Sequence, residues 1–261
     1  MRRTYPTDLS DVEWSRLAPL VPPPKPGGRP CKYSRREIVN AILYVVRSGA
    51  AWRLVPHDLP EWAAVYHYFR RWPRDGTWRR IHDRLRRRIR RLAGRNTPPS
   101  VAILDSQTVK TTNRGGVRGY EAAKKVVGRK RHILVAALGL PLWVVVHAAS
   151  EQDRTGAQRV LAPLAHRCFR LRLVWADGGY FGSLAAWLWQ LRQHRRVRLE
   201  LVKHTVQHDF AVLPKRWIVE RTFAWLGRCR RLSKDYEYLT EASEAMIQIA
   251  MINLMLRRLA Q

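Results

Sequence analysis

Two aspartates of this chain stand in matching surroundings. Asp105 follows the apolar run 101–104 (VAIL), and Asp177 follows 171–176 (LRLVWA). The pattern predicts two short strands that each end in a carboxylate. Carboxylates at strand ends along one edge of an α/β sheet point into the crevice where ligands bind. Side by side they repel one another unless a divalent cation joins them. Mg²⁺ suits such a pair, because it takes hard oxygen ligands and leaves the rest of its shell to water and phosphate. The glycines at 178 and 179 let a phosphate or another backbone approach closely. The plainer reading is that each aspartate caps a turn; the shared context of the two argues against it. A third carboxylate, Glu220, lies in a helix pattern over 215–229, where Trp217, Phe223 and Leu226 form an apolar stripe. Arg216 precedes it by four residues, so an ordinary i,i+4 ion pair is the competing explanation there.

These acids are scarce. Of 261 residues, 49 are Lys or Arg and 20 are Asp or Glu, a formal net charge of +29 carried by both halves of the chain. Self-repulsion on that scale points to a polyanionic partner, with nucleic acid ahead of an acidic membrane surface. Arginine outnumbers lysine, which suits bidentate phosphate contacts. The hydrophobic fraction of 46% excludes a mainly disordered basic protein. Cys31, Cys168 and Cys229 are far apart, which excludes a disulfide framework and a Cys-rich zinc site and fits a reducing compartment. No secretory h-region follows the N-terminus. The uncharged stretch 133–150 is broken at Gly139-Leu140-Pro141, which predicts a buried strand hairpin rather than a membrane span. His204 and His208 have i,i+4 spacing, but no third zinc ligand accompanies them.

The elements that must position these groups fall into two sets. Helix patterns cover 8–21, 34–49, 59–72 and 77–95. The last carries nine arginines against Asp83 alone, around a seam of Ile81, Leu85, Ile89 and Leu92, and predicts phosphate contact. The Pro- and Gly-containing segment 94–100 marks a boundary. Beyond it, strands 101–104, 132–138, 142–147, 171–176 and 197–202 alternate with helices 155–169, 183–194, 215–229 and 241–259, the last packing on the core. A basic loop over 110–131 adjoins Asp105, and its Lys124, Lys125, Arg129, Lys130 and Arg131 are expected to touch DNA. The chain therefore reads as α/β, with a mixed sheet behind a small all-α domain.

Four blocks in order resemble the bacterial insertion-sequence DDE transposases of the insertion sequence four and five kind. They are Asp105-Ser-Gln-Thr-Val-Lys; the run from Gly119-Tyr120 through Lys124-Lys125 to Gly128-Arg129-Lys130-Arg131-His132; Asp177-Gly-Gly-Tyr-Phe; and Arg216-Trp-Ile-Val-Glu220-Arg-Thr-Phe. The resemblance implies a helical DNA-binding domain at 1–95 and a ribonuclease H-like catalytic domain at 96–261. It implies that Asp105, Asp177 and Glu220 hold two Mg²⁺ ions, with Mn²⁺ able to substitute. The activity implied is cleavage of element ends and joining of 3′-OH ends to target DNA. The partners implied are double-stranded DNA, as terminal inverted repeats and target, and a second copy of the chain in a homodimer; no membrane is involved, and the setting is the bacterial cytoplasm at the nucleoid. Departures from the family pattern are Leu213 where tyrosine is usual, Gly227 where lysine is usual, and Ala136 where relatives often carry aspartate. Arg216 matches, and Arg228, next to Gly227, is the substitute for gripping DNA phosphates. The competing readings are a ribonuclease H-like nuclease without strand transfer and an inactive DNA-binding remnant.

Overall fold

The computed structural model describes residues 2–24, 27, 31–113, 115–180, 182–190, 197–202 and 216–261. Its contacts divide into two compact units. The first comprises Met1–Ile89, Leu226–Ser233 and Glu241–Gln261; the second comprises Arg90–Trp225 and Lys234–Thr240. His204, His208 and Leu213, and the proposed helical residues 191–194, lie outside the described residues.

The first unit is built from helices. In α1 (Asp11–Leu17), Ser10 and Glu13 satisfy each other's backbone N–H in a capping box. Ser34 caps α2 (Arg35–Ser48), which ends at Gly49 in the left-handed region. The expected face of α2, Ile38, Ile42, Val45 and Val46, is buried. In α3 (Trp62–Arg74) and α4 (Thr77–Leu92), Trp72 and Trp78 meet edge to face at 5.0 Å. The α4 seam buries Ile81 and Leu85, but Leu92 is 72% exposed, because the helix outruns the core that covers its first turns. The long apolar α9 (Thr240–Ala260) lies almost wholly in this unit. Met246, Ile249, Ile252 and Leu256 are all buried, as a helix apolar on most sides requires.

The second unit is a mixed sheet of β1 (Val101–Lys110), β2 (Gly119–Glu121), β3 (Val126–Ala136), β4 (Pro141–Ala148), β5 (Leu173–Ala176) and β6 (Arg198–Leu201). Central β1 pairs antiparallel with β3 and parallel with β5; β4 and β2 extend the β3 side antiparallel, and β6 extends the β5 side parallel. This order and set of directions fits the ribonuclease H-like fold. The helices α5 (Asp153–Leu161), α6 (Leu164–Arg167) and α7 (Ser183–Gln190) lie between the sheet strands in sequence. Val160, Leu161, Leu184 and Leu188 close a core with Ala102, Leu104, Leu134 and Val174. The helix expected over 155–169 is two pieces, because Pro163 cannot supply the N–H that would continue the first. The helix α8 (Trp217–Gly227) follows the undescribed stretch.

One expectation about the strands fails and another holds. Strand β1 does not stop at Leu104 but runs to Lys110, because β3 pairs with it residue by residue as far as Lys110↔Gly128. The basic loop expected over 110–131 is accordingly sheet at 110, 119–121 and 126–131, with turns between. The uncharged stretch 133–150 does form a hairpin, with its turn closed by Gly139 N–H to Ala136 C=O at 2.8 Å. Among the described residues no helix is long and apolar enough to cross a membrane.

Candidate active site

Asp105 sits in the middle of β1 rather than at its end, yet it lies just past the last supported position on one side. The parallel pairing to β5 stops at Ile103↔Trp175. Two residues further along each strand come Asp105 and Asp177, neighbours across the same gap. Asp177 leaves the strand into a short turn, where its Oδ1 accepts the Gly179 N–H at 3.0 Å. Asp105 Oδ1 accepts the Ser106 N–H at 2.8 Å.

A cation already lies between the two aspartates. Arg216 Nη2 is 3.7 Å from Asp105 Oδ2 and 3.7 Å from Asp177 Oδ2. The i,i+4 pair expected as the ordinary role of Arg216 is therefore replaced by a bridge to two other carboxylates. Glu220 stands in the first turn of α8 with its side chain exposed. The Asp105 carboxyl is pushed up to about 6, first by burial and then by the charges of Asp177 and Glu220; Ser106 N–H and Arg216 act against the rise. The three acids thus share one electrostatic neighbourhood. Among the described residues, however, no group of three His, Cys, Asp or Glu side chains closes into a metal cage. In kind the donors suit a divalent ion: they are carboxylates, partly desolvated, and two of them already hold a positive group between them.

Helix α8 is seated by only part of the expected stripe, Leu226, together with two residues outside it. Val219, Thr222 and Leu226 are buried, whereas Trp217 is exposed under the Arg221 guanidinium at 4.3 Å. Thr222 Oγ1 donates to Gly139 C=O at 2.8 Å, so the β3–β4 turn fixes the helix that carries Glu220.

Two site residues escape sequence reasoning. Asp153, the first residue of α5, accepts a hydrogen bond from Ser106 Oγ at 3.3 Å and an ion pair from Lys130 Nζ at 3.1 Å; His132 Nε2 is 3.6 Å away. It is a fourth carboxylate beside the Asp105 strand, and its signal was a scarce acid at a helix start. Tyr180 is buried, and its pKa is raised well above the ordinary value by burial and the nearby charge of Asp105, with the Ser106 side chain acting against the rise. It crosses the His132 ring edge to face at 5.9 Å.

The expected DNA contacts divide sharply. Lys124 and Lys125 are exposed in the β2–β3 turn. Arg129, Lys130 and Arg131 are buried strand residues and correct the picture of a basic loop. Arg129 donates to the carbonyls of Val117, Glu237 and Tyr238 and pairs with buried Asp235 at 3.2 Å. Arg131 donates to Lys234 C=O, and Lys130 to Glu151 C=O. Such groups hold backbone in place and present nothing to a DNA surface. Arg228 is exposed beyond α8. Ala136 is fully buried and belongs to the apolar core cluster with Leu134.

Residues 96–255 match the family described as Transposase DDE domain, and residues 9–82 match the family described as Putative transposase of IS4/5 family. The chain is similar to the insertion element IS402 uncharacterized 16.2 kDa protein of Burkholderia cepacia, 31% identical over 114 residues, which is 41% of this chain and 76% of that protein. It is also similar to the putative transposase for insertion sequence element IS402 of the same organism, 28% identical over 135 residues, or 47% of this chain and 60% of that protein. Over 64 residues it is 34% identical to the uncharacterized protein y4sN of Sinorhizobium fredii, covering 24% of this chain and 51% of that protein. The chain thus spans between half and two thirds of the latter two relatives. No solved structure matches it.

Proposed function

The chain belongs to the transposase DDE-domain family of the insertion sequence four and five kind, and on that premise we propose that it cuts the ends of an insertion element and joins the 3′-OH ends to target DNA. The observation that carries this reading is the Asp105–Arg216–Asp177 bridge: two strand-registered carboxylates converge on one positive charge where the β1–β5 pairing ends. Asp105, Asp177 and Glu220 are the proposed ligands of two Mg²⁺ ions, replaceable by Mn²⁺. Divalent ions, when bound, supply charge stabilisation at the scissile phosphate and a lowered pKa for the attacking water or 3′-OH.

The chain's own residues have separate parts in this reading. Burial keeps the Asp105 carboxylate poorly hydrated, so it gains more from a cation than an exposed one would. Arg216 holds the aspartate pair together and offers a planar fork to the strand phosphate that enters between them. Ser106 and Lys130 hold Asp153 still behind them. Lys124, Lys125, Arg216 and Arg228 are the proposed DNA contacts. Residues 1–95 form the proposed DNA-binding module, with the exposed arginines 84, 87 and 88 of α4 on phosphates, and residues 96–261 carry the reaction. A homodimer brings two element ends together, in the bacterial cytoplasm at the nucleoid.

The test is a strand-transfer assay on DNA that carries the element's terminal repeats. The reading requires metal-dependent nicking followed by joined products. Loss of both with Asp177→Ala in a folded protein supports it. Hydrolysis without joining supports a nuclease instead, and wild-type cleavage by Asp177→Ala overturns the site.

A further inference from the structure

The helical unit contains a pocket apart from the carboxylate site, and of its lining only Arg228 is among the DNA contacts proposed so far. The pocket has a volume of about 360 Å³, and its lining includes Tyr5, Thr7, Tyr44, Arg47, Arg228 and Arg230. Arg47 meets Arg228, 181 residues further along the chain, and Arg230, because the backbone brings the two segments together. Gly49 ends α2 so tightly against the 230–232 turn that a Cβ on it would stand 3.0 Å from the Arg230 Cβ. Arg47 Nη1 donates to Arg228 C=O at 2.6 Å, and Arg231 Nη1 donates to Ala50 C=O at 3.3 Å, so the turn is tied to the end of α2 at two points.

The charge in this pocket is unbalanced. Among the described residues, none of the guanidiniums of Arg47, Arg228 and Arg230 has a carboxylate in ion-pairing range, although other arginines of the unit do, such as Arg2 with Asp8 and Arg36 with Asp11. An acid in touch with the lining is Asp58, which accepts the Tyr5 hydroxyl. Thr7 Oγ1 is buried at the pocket and has no hydrogen-bond partner among the described residues. Tyr5 and Tyr44 meet edge to face at 5.0 Å and give the pocket an apolar wall. Three exposed arginines lining one pocket, a spare hydroxyl and an aromatic wall match a tetrahedral anion that carries a sugar.

We propose that this pocket binds a phosphodiester group of a DNA strand, with Arg47, Arg228 and Arg230 around the phosphate and Tyr44 against the deoxyribose. The inference rests on the proposed DNA partner but not on the carboxylate site, and its test needs no divalent ion. Binding of a short labelled duplex to the full chain is followed by anisotropy in EDTA over a range of salt concentrations. The Arg228→Gln/Arg230→Gln double variant is compared with Arg170→Gln/Arg172→Gln, which removes the same charge from positions elsewhere. Among the described residues neither Arg228 nor Arg230 makes a side-chain hydrogen bond or ion pair, so the fold is retained, and circular dichroism confirms it. Each lost phosphate contact lowers the slope of log K against log salt by about 1.

The pocket variant is expected to lose one to two such contacts and roughly tenfold in affinity, with the control nearly unchanged. Equal losses in both doubles overturn the proposal, since they report net charge alone. Inorganic phosphate is the second probe. If it raises the melting temperature of the wild type but not of the pocket variant, while the DNA slopes stay equal, the pocket takes free phosphate and the DNA assignment fails. A chain that shows the slope difference but no metal-dependent nicking keeps this inference and loses the proposed reaction; the reverse result separates them the other way.

Discussion

Asp105 and Asp177 are register neighbours: each stands two residues beyond the last parallel pair, Ile103↔Trp175, on adjacent strands. Their proximity is thus set by backbone hydrogen bonds rather than by side-chain attraction. The sheet holds two like charges together, and Arg216 compensates them.

That arrangement makes the site costly to the fold. The Asp105 carboxyl, held at about 6 against an ordinary value near 4, is destabilising wherever it is ionised. Asp105→Asn keeps the Ser106 acceptor and removes the charge. It is expected to raise stability at pH 8 by about 1–3 kcal/mol, because raising a carboxyl's pKa tenfold in proton affinity is worth roughly 1.4 kcal/mol. Strand cleavage should meanwhile fall by on the order of 10³-fold. Urea denaturation and the cleavage assay on the same preparation check both halves.

A second pH effect runs in the opposite direction. The rings of His132 and His147 stack, with Nδ1 of the first 2.7 Å from Nε2 of the second. His147 Nδ1 lies 2.9 Å from Ala148 C=O, so it must donate there, and its Nε2 accepts from His132 Nδ1–H. Both rings are neutral in this scheme, and burial holds both below the ordinary value, with the Asp153 charge opposing for His132 and Glu151 for His147. The unfolded chain takes up protons first, so stability is full above about pH 6.5 and is lost as pH falls below it. Asp105 contributes with the other sign, gaining stability as pH falls through about 6. The difference between wild type and His132→Asn/His147→Asn isolates the histidines. Between pH 7 and 5 it is expected to change by up to about 1.4 kcal/mol per pH unit for each histidine; parallel curves would refute the assignment.

Basic residues of one block should behave in two ways. Arg129→Gln takes from buried Asp235 the guanidinium that stands 3.2 Å from its Oδ1 and is expected to cost about 3–5 kcal/mol. Lys124→Gln/Lys125→Gln, at exposed positions, should leave the melting temperature unchanged and flatten the salt dependence of DNA binding by one to two contacts. Thermal melts and anisotropy titrations on the two proteins distinguish scaffold from surface.

The turn that seats α8 is a remote control on the site. Gly139 has φ 74°, and a Cβ there would lie 2.9 Å from the Trp225 ring. Gly139→Ala is expected to destabilise by about 1–3 kcal/mol. Cleavage should drop more than stability predicts, because the helix carrying Glu220 loses its seat. Hydrogen exchange over 217–227 reports the loosening directly.

Much of this protein is legible without coordinates. Apolar periodicity locates the elements, because a 3.6-residue repeat and a two-residue repeat bury different positions whatever surrounds them. The matched apolar runs before Asp105 and Asp177 single out that pair in a chain of net charge +29, and the family resemblance adds Glu220. What the sequence could not carry was the fate of a charge once the chain folds. Arg129 and Lys124 belong to the same basic block, yet one is sealed against Asp235 and the other faces solvent. Position in the sheet decides that: β3 pairs with β1 on one side and β4 on the other and is covered throughout 129–131, whereas Lys124 stands in the turn before the pairing begins. The same holds for Asp153 and for the arginines at 47, 228 and 230: pairing in space depends on how distant segments pack, and no local spacing encodes it. The sequence determined which residue types the chain has for its chemistry; the tertiary structure decided which of them meet.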